Sequence, residues 1–97
     1  TPDEISDVNN LRLWLKVNGK TMQDGNSKNL IFNIPFLIAY ISEFMTLLPG
    51  DIISTGTPAG VGLGQKPAPI YLRAGDVVEL GIDGLGQSRQ VMVDWKK

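Results

Sequence analysis

Leu11-Arg12-Leu13-Trp14-Leu15-Lys16-Val17-Asn18-Gly19-Lys20-Thr21-Met22-Gln23 is the segment on which the fold turns. Leu11, Leu13, Leu15 and Val17 alternate with Arg12, Trp14 and Lys16, the period of two of a strand with one buried face. Asn18-Gly19 follows at once. Both residues tolerate positive φ, which a type I′ turn demands at its two central positions, so Lys20 to Gln23 is expected to return antiparallel.

Working outward, Asp24 to Asn29 reads as a polar loop with Gly25 at a tight turn, leading into Leu30-Ile31-Phe32. Asn33 suits a helix N-cap, and Pro35 falls in the first turn, where its missing N–H costs nothing. Leu37, Tyr40, Ile41, Phe44 and Leu48 form one helical stripe, thickened by Phe36, Ile38 and Met45. The pattern predicts a helix from Ile34 to Leu48, ended by Pro49-Gly50. Ser42, Glu43 and Thr46 leave only a narrow polar strip, so such a helix must be covered on most sides.

Gly50-Asp51-Ile52-Ile53 is echoed by Gly75-Asp76-Val77-Val78, each reading as a turn that feeds a short β-branched strand. Two copies fit a recurring turn solution better than a repeat architecture. Gly56 to Pro69 is rich in glycine and proline and reads as a long irregular loop, a kind of segment that commonly carries function. Gly84-Leu85-Gly86 reads as a hairpin connection into a last strand over Arg89 to Asp94, with Val91 and Val93 on one face. Thr1 to Asn10 is polar, lacks an apolar period and reads as an entering loop, with the folded unit at 11–97. The fold class is α+β, mainly antiparallel β with one long helix.

Composition narrows the chemistry. Ninety-seven residues make one small domain that buries about 60 to 65% of its unfolded surface. With 42% hydrophobic and 20% charged residues, the chain fits neither the disordered nor the membrane class. It contains no histidine and no cysteine, which excludes imidazole- or thiol-based nucleophiles, the usual zinc sites and disulfides. Nine basic residues are scattered against ten acidic ones, an arrangement that opposes nucleic-acid binding. The apolar run Ile34 to Leu48 is too short and too interrupted to be a membrane anchor. Thr1-Pro2-Asp3-Glu4 has neither a starting methionine nor a signal pattern and reads as a cut in a longer chain.

The segment that speaks most directly of chemistry is Ser54-Thr55-Gly56-Thr57-Pro58-Ala59-Gly60-Val61-Gly62. Glycines allow close backbone approach, and amides beside hydroxyls form a cradle for an anionic oxygen. It lacks the lysine-serine/threonine ending and following helix of a nucleotide phosphate loop. Asn18-Gly19 with Gln23, then Asn29-Leu30-Ile31-Phe32, Phe44-Met45-Thr46-Leu47, Pro49-Gly50-Asp51, Thr55 to Gly62, Leu72-Arg73-Ala74-Gly75-Asp76-Val77-Val78 and Gly84-Leu85-Gly86 occur in a telling order. From Leu11 to Val93 the chain resembles the C-terminal part of the fumarylacetoacetate hydrolase family.

That resemblance implies a mixed β-sandwich roll and a hydrolase or lyase acting on 2-oxo acids or acylpyruvate-like substrates. It also implies Mg2+, Mn2+ or Ca2+ chelating the substrate and stabilising an enolate as a carbon-carbon bond breaks. The family's two glutamates, aspartate and lysine precede the matched region and have no counterpart here, so the metal ligands are expected upstream and the fragment is expected to be inactive alone. Carried over by position, Thr57 matches the family's substrate-contacting threonine, while Gly56, Pro58 and Gly60 shape its loop. Thr55 faces the site or packs inward. Gln23 matches a family glutamine and serves either the substrate or the backbone at a hairpin edge. Asn29 ranks low. Lys66 and Arg73 fit solvated charge, and Asp51 and Asp76 fit local backbone acceptors at turns.

Trp14 either stacks under Arg12 or lies in an interface. The family implies a cytoplasmic homodimer with a small-molecule substrate. Gly62 to Pro67, with Gly81 to Gln87 and Gln90, resemble the branch of ureidoglycolate lyases and diketo-deoxy sugar acid hydrolases. The rival reading is a metal-free binding or assembly module on the same scaffold, and the residues encoded before Thr1 discriminate the two.

Overall fold

A computed structural model describes Thr1–Lys96; Lys97, the end of the expected 11–97 unit, lies outside the described residues. Strands β1 (Arg12–Val17), β2 (Lys20–Asn26), β3 (Val77–Ile82) and β4 (Gly86–Val91) form one sheet in the order β2-β1-β3-β4, with every neighbouring pair antiparallel. The helix α1 spans Ile34–Ser42, and short 3₁₀ turns occur at Pro2–Glu4, Ser27–Asn29 and Gly62–Gly64.

The opening hairpin forms as expected. Asn18 and Gly19 take φ of 50° and 80°, and Val17 pairs with Lys20. β2 runs further than the sequence suggests, because pairing continues until Asn26 meets Arg12, with a bulge between Leu15 and Lys16. Asp24 and Gly25 are therefore strand rather than loop. Their polarity misleads because β2 is an edge strand, where Asp24 turns to solvent and receives a two-pronged bond from Arg12, Nε to Oδ1 at 2.8 Å and Nη2 to Oδ2 at 3.0 Å. The entering segment is tied to the far end of β2: Ser27 Oγ donates to the Val8 carbonyl and accepts from the Leu11 amide, each at 2.8 Å.

Asn33 caps α1 by accepting from the Phe36 amide at 2.9 Å, but the helix ends at Ser42, not Leu48. Helical periodicity becomes a stable helix only where packing rewards it. Within α1 Leu37 and Ile41 are half-buried, whereas beyond it Phe44, Met45 and Leu48 are 60 to 70% exposed. Asp51 then closes a turn, its Oδ2 accepting from the Leu48 amide at 2.8 Å.

The echoed segments are one turn used twice. Gly50 and Gly75 have φ of 96° and 92°, and Asp76 Oδ2 accepts from the Arg73 amide at 2.9 Å as Asp51 does from Leu48. Only the second copy feeds a strand. The expected strand after Asp51 is absent, since a strand needs a hydrogen-bonded neighbour and Ile52 is 94% exposed, whereas β3 lies between β1 and β4. The last strand also shifts: Leu85 N–H bonds the Ile82 carbonyl at 2.9 Å, so β4 starts at Gly86 and stops at Val91, leaving Val93 outside it.

Val78, 7% exposed, is the one buried hydrophobic side chain among the described residues. On the opposite face Trp14 pairs across the sheet with Gly81, where its ring fills the place of a side chain. Its cation is Lys16, whose Nζ sits 5.6 Å from the ring centroid. Arg12 is engaged by Asp24 instead, so of the two alternatives for Trp14 the stack under Arg12 does not form.

Asn18 locks the turn to β3. Its Nδ2 donates to Asp76 Oδ1 and its Oδ1 accepts from the Val77 amide, both at 2.9 Å. The Asn18 amide, then the Arg73 N–H, hold the Asp76 carboxyl below its ordinary pKa. A carboxylate whose pKa is lower folded than unfolded contributes stability above about 3.9, and that contribution fades as pH falls through the folded value. Asp76→Ala is therefore expected to lower the Tm of the full-length gene product at pH 7, by an amount that shrinks on acidification below about pH 4. A pH-independent difference in thermal melts would contradict the ionic origin.

Candidate functional site

The loop following Ser54 is held against the middle of β2 by three contacts. Gln23 Nε2 donates to Thr57 Oγ1 at 2.9 Å and to the Pro58 carbonyl at 2.8 Å. Gly60, at φ 109°, comes so close to β2 that a Cβ there would lie 1.9 Å from the Met22 carbonyl oxygen. Gly25 leaves room for Pro58, since a Cβ there would stand 2.8 Å from the proline Cβ. Beyond the crossing, Gln65 Nε2 bonds the Gly60 carbonyl at 3.0 Å, and Ile70 N–H bonds that of Gly62 at 2.9 Å.

The crossing divides the space over the leucine face of the sheet. One cavity of about 620 Å³ is lined by Leu13, Ile82 and the run Thr55, Gly56, Thr57 and Pro58. A second, of about 550 Å³, lies beyond the crossing against Leu15, Val17 and Val78, with Gln23, Gly60 and Tyr71. Both are mainly apolar. In the first, among the described residues, the amides of Thr55, Gly56, Thr57 and Ala59 donate to no backbone carbonyl. These amides and the Thr57 hydroxyl belong to residues that line an otherwise apolar wall, a donor set of the kind that suits an oxygen ligand.

The structure thus places Thr55, Gly56, Thr57 and Pro58 on one cavity wall and joins Gln23 to Thr57 and Pro58. Asn29 also lines that cavity, whereas Lys66 and Arg73 are exposed and line neither. Asp51 and Asp76 serve turns, as their sequence context suggests. Asp24, which sequence reading assigns to a loop, borders the larger cavity through its place in β2, while its side chain lies on the Trp14 face of the sheet. Its carboxyl lies below its ordinary pKa because Arg12 donates to it. The signal available was the pair of opposite charges at Arg12 and Asp24 across the hairpin, which becomes visible only once the strand register is known.

A hard divalent cation takes about six oxygen ligands, usually including several carboxylates. Among the described residues no three of His, Cys, Asp or Glu gather at one place. Asp24 is engaged by Arg12, and Asp76 by Asn18 and Arg73. These side chains do not by themselves fit a metal centre.

Residues 1–93 match the family model described as fumarylacetoacetate hydrolase C-terminal. The chain is 56% identical over 96 residues to a 2,4-didehydro-3-deoxy-L-rhamnonate hydrolase from a Sphingomonas species, covering 99% of this chain and 34% of that protein. Among solved structures it is similar to the fumarylacetoacetate hydrolase of Exiguobacterium antarcticum, with TM-score 0.88 and 40% identity over 97% of this chain and 34% of that one. It is also similar to a maleylpyruvate hydrolase from a Sphingobium species, in complex with manganese(II) and pyruvate. There the TM-score is 0.82 and the identity 40%, over 96% of this chain and 32% of that one. The chain spans about a third of the length of each of these relatives. Motif order, the four-stranded antiparallel sheet with one helix, and the match over residues 1–93 agree, and the chain belongs to the fumarylacetoacetate hydrolase family.

Proposed function

We propose that this chain is part of the catalytic domain of a divalent-metal-dependent hydrolase or lyase acting on 2-oxo acid or acylpyruvate-like substrates. In this reading residues 1–10 lead into the domain, and 11–97 supply its substrate-facing loop rather than its metal ligands. The observation that carries it is that Thr55, Gly56, Thr57 and Ala59, whose amides donate to no backbone carbonyl among the described residues, line the larger cavity. Thr57 donates its hydroxyl to a substrate oxygen, and the neighbouring amides add partial positive charge where negative charge develops. Gly56 and Pro58 set the loop's path. The cation, when bound, polarises the substrate's oxygens.

The thinly covered leucine face supports closure of this sheet into a β-sandwich roll with residues outside the chain. Phe32, Phe36 and Tyr40 stack and Phe44 meets Tyr40 edge-on, a ladder along and just beyond α1 with centroids 5.0 to 6.2 Å apart, and each ring is about half exposed or more. That ladder supports a covering surface in the full-length protein, such as a second copy in a homodimer.

The test is an assay of the full-length gene product with Mn2+ against maleylpyruvate and 2,4-didehydro-3-deoxy-L-rhamnonate. Cleavage abolished by chelation and restored by metal is expected. Thr57→Val is expected to lower kcat/KM about 10- to 100-fold, the value of a hydrogen bond to a charged group. Metal-independent binding of a 2-oxo acid without turnover would favour the binding module instead.

A further inference from the structure

Gln23 meets the loop with both hydrogens of its side-chain amide. The acceptors are Thr57 Oγ1 at 2.9 Å and the Pro58 carbonyl at 2.8 Å. A carbonyl oxygen only accepts, so the group facing it must be the amide nitrogen, and the orientation of Gln23 follows from chemistry. Thr57 Oγ1 therefore receives a hydrogen bond. Its own proton must go elsewhere. Among the described residues the acceptor in reach is the Pro58 carbonyl, at 3.5 Å and already occupied by Gln23 at 2.8 Å. At that distance the bond is at the limit of the geometry.

We infer that Gln23 is a positioning residue that fixes Thr57 as a hydrogen-bond donor toward an anionic ligand oxygen in the larger cavity. The assignment rests on the loop reading proposed above. With both donors engaged, Gln23 has none left for substrate, and its Nε2 lies at the crossing that separates the two cavities. A hydroxyl can accept or donate with little preference. With one lone pair filled from behind and its proton lacking a well-placed acceptor in the loop, the hydroxyl has that proton to offer outward, which favours carboxylate or enolate oxygens over ammonium or amide N–H groups. The same bond to Pro58 fixes the peptide that follows Thr57, so one side chain sets both the place and the polarity of the contact.

The test uses the full-length gene product with Mn2+ and pyruvate as the probe, measured by calorimetric titration alongside thermal melts. Gln23→Met, similar in shape but without donors, is expected to weaken pyruvate about tenfold with the fold retained. Thr57→Val is expected to weaken it comparably, and the double variant to be no weaker than Thr57→Val alone, because the two act as one unit. Gln23→Glu supplies a readout that a merely structural role would not move. At pH 7 its carboxylate accepts from the Thr57 hydroxyl and reverses the polarity. On acidification to about pH 4, through the ordinary glutamic acid pKa of about 4.3, protonation restores a donor, so pyruvate affinity should rise relative to wild type. If wild type binds no pyruvate, both the loop reading and this assignment are overturned. If wild type binds and Gln23→Met binds equally, or if the double variant is additive, the assignment to Gln23 alone is overturned. A Gln23→Glu protein with no pH dependence relative to wild type overturns the polarity argument.

Discussion

Gly60→Ala is expected to destabilise the full-length protein by about 4 kcal/mol, or else to lift the loop from β2 and lose pyruvate binding about 100-fold or more. Two costs meet at this position. At φ 109° an L side chain is strained wherever it points, and its Cβ would stand 1.9 Å from the Met22 carbonyl oxygen and 3.1 Å from the Gln23 side chain. The backbone of an edge strand cannot yield as a flexible side chain can, so the loop must move and take Thr57 and Pro58 away from Gln23. Gly50→Ala is the control. Gly50 has a similar φ of 96° but open space where the Cβ would go, so only the conformational cost of about 1 to 2 kcal/mol applies. Urea unfolding together with pyruvate titration checks both. Equal effects of the two substitutions would show that the close crossing over Met22 does not form.

Gly81→Val should lower stability by about 2 to 3 kcal/mol, although valine in a strand ordinarily improves on glycine. The reversal comes from Trp14. Gly81 is buried, and a Cβ there would lie 2.7 to 2.9 Å from three atoms of the indole. The ring takes the space that a cross-strand partner would use, so a side chain at Gly81 forces Trp14 off its rotamer and away from Lys16. Trp14→Leu should rescue Gly81→Val, making the double variant more stable than Gly81→Val alone. Measured as a double-mutant cycle by urea unfolding, the pair is expected to couple by more than about 1 kcal/mol. Additivity of the two substitutions would place the indole elsewhere.

Both effects concern glycines that look unremarkable in the sequence. Gly60 lies in a glycine-rich stretch, where the sequence assigns it a share in shaping the loop but not a close crossing, and Gly81 lies inside an alternating strand. What singles them out is the approach of Met22 and Trp14, which lie 38 and 67 positions earlier in the chain. The turns were legible because their causes are local. Asn18-Gly19 carries its own φ preference, and Gly50-Asp51 and Gly75-Asp76 bring the aspartate that closes the turn. The ends of α1 and β2, and the missing strand after Asp51, were not legible, because they depend on which neighbours cover or pair with them. Ile52 and Val77 occupy equivalent places after the same turn, yet only Val77 has a strand beside it.

Thr55 to Ala59 stand out in the sequence as a candidate ligand loop from amides, hydroxyls and glycines. Their coupling to Gln23 was open between two readings until the hairpin placed that amide beneath Thr57 and Pro58. Asp24 was hidden because a polar run on an edge strand looks like a loop.

By itself the sequence determined the alternating strand, the two-residue turn, the repeated glycine-aspartate turn and membership of the family, since each is encoded by residues near one another or by motif order. Tertiary structure alone decided how far each element extends, which glycines are indispensable, and that Gln23 directs its donors at Thr57 and Pro58. The physical reason is that dihedral preferences act within a few residues, whereas excluded volume and hydrogen-bond direction are set by whatever distant segment the fold brings into contact.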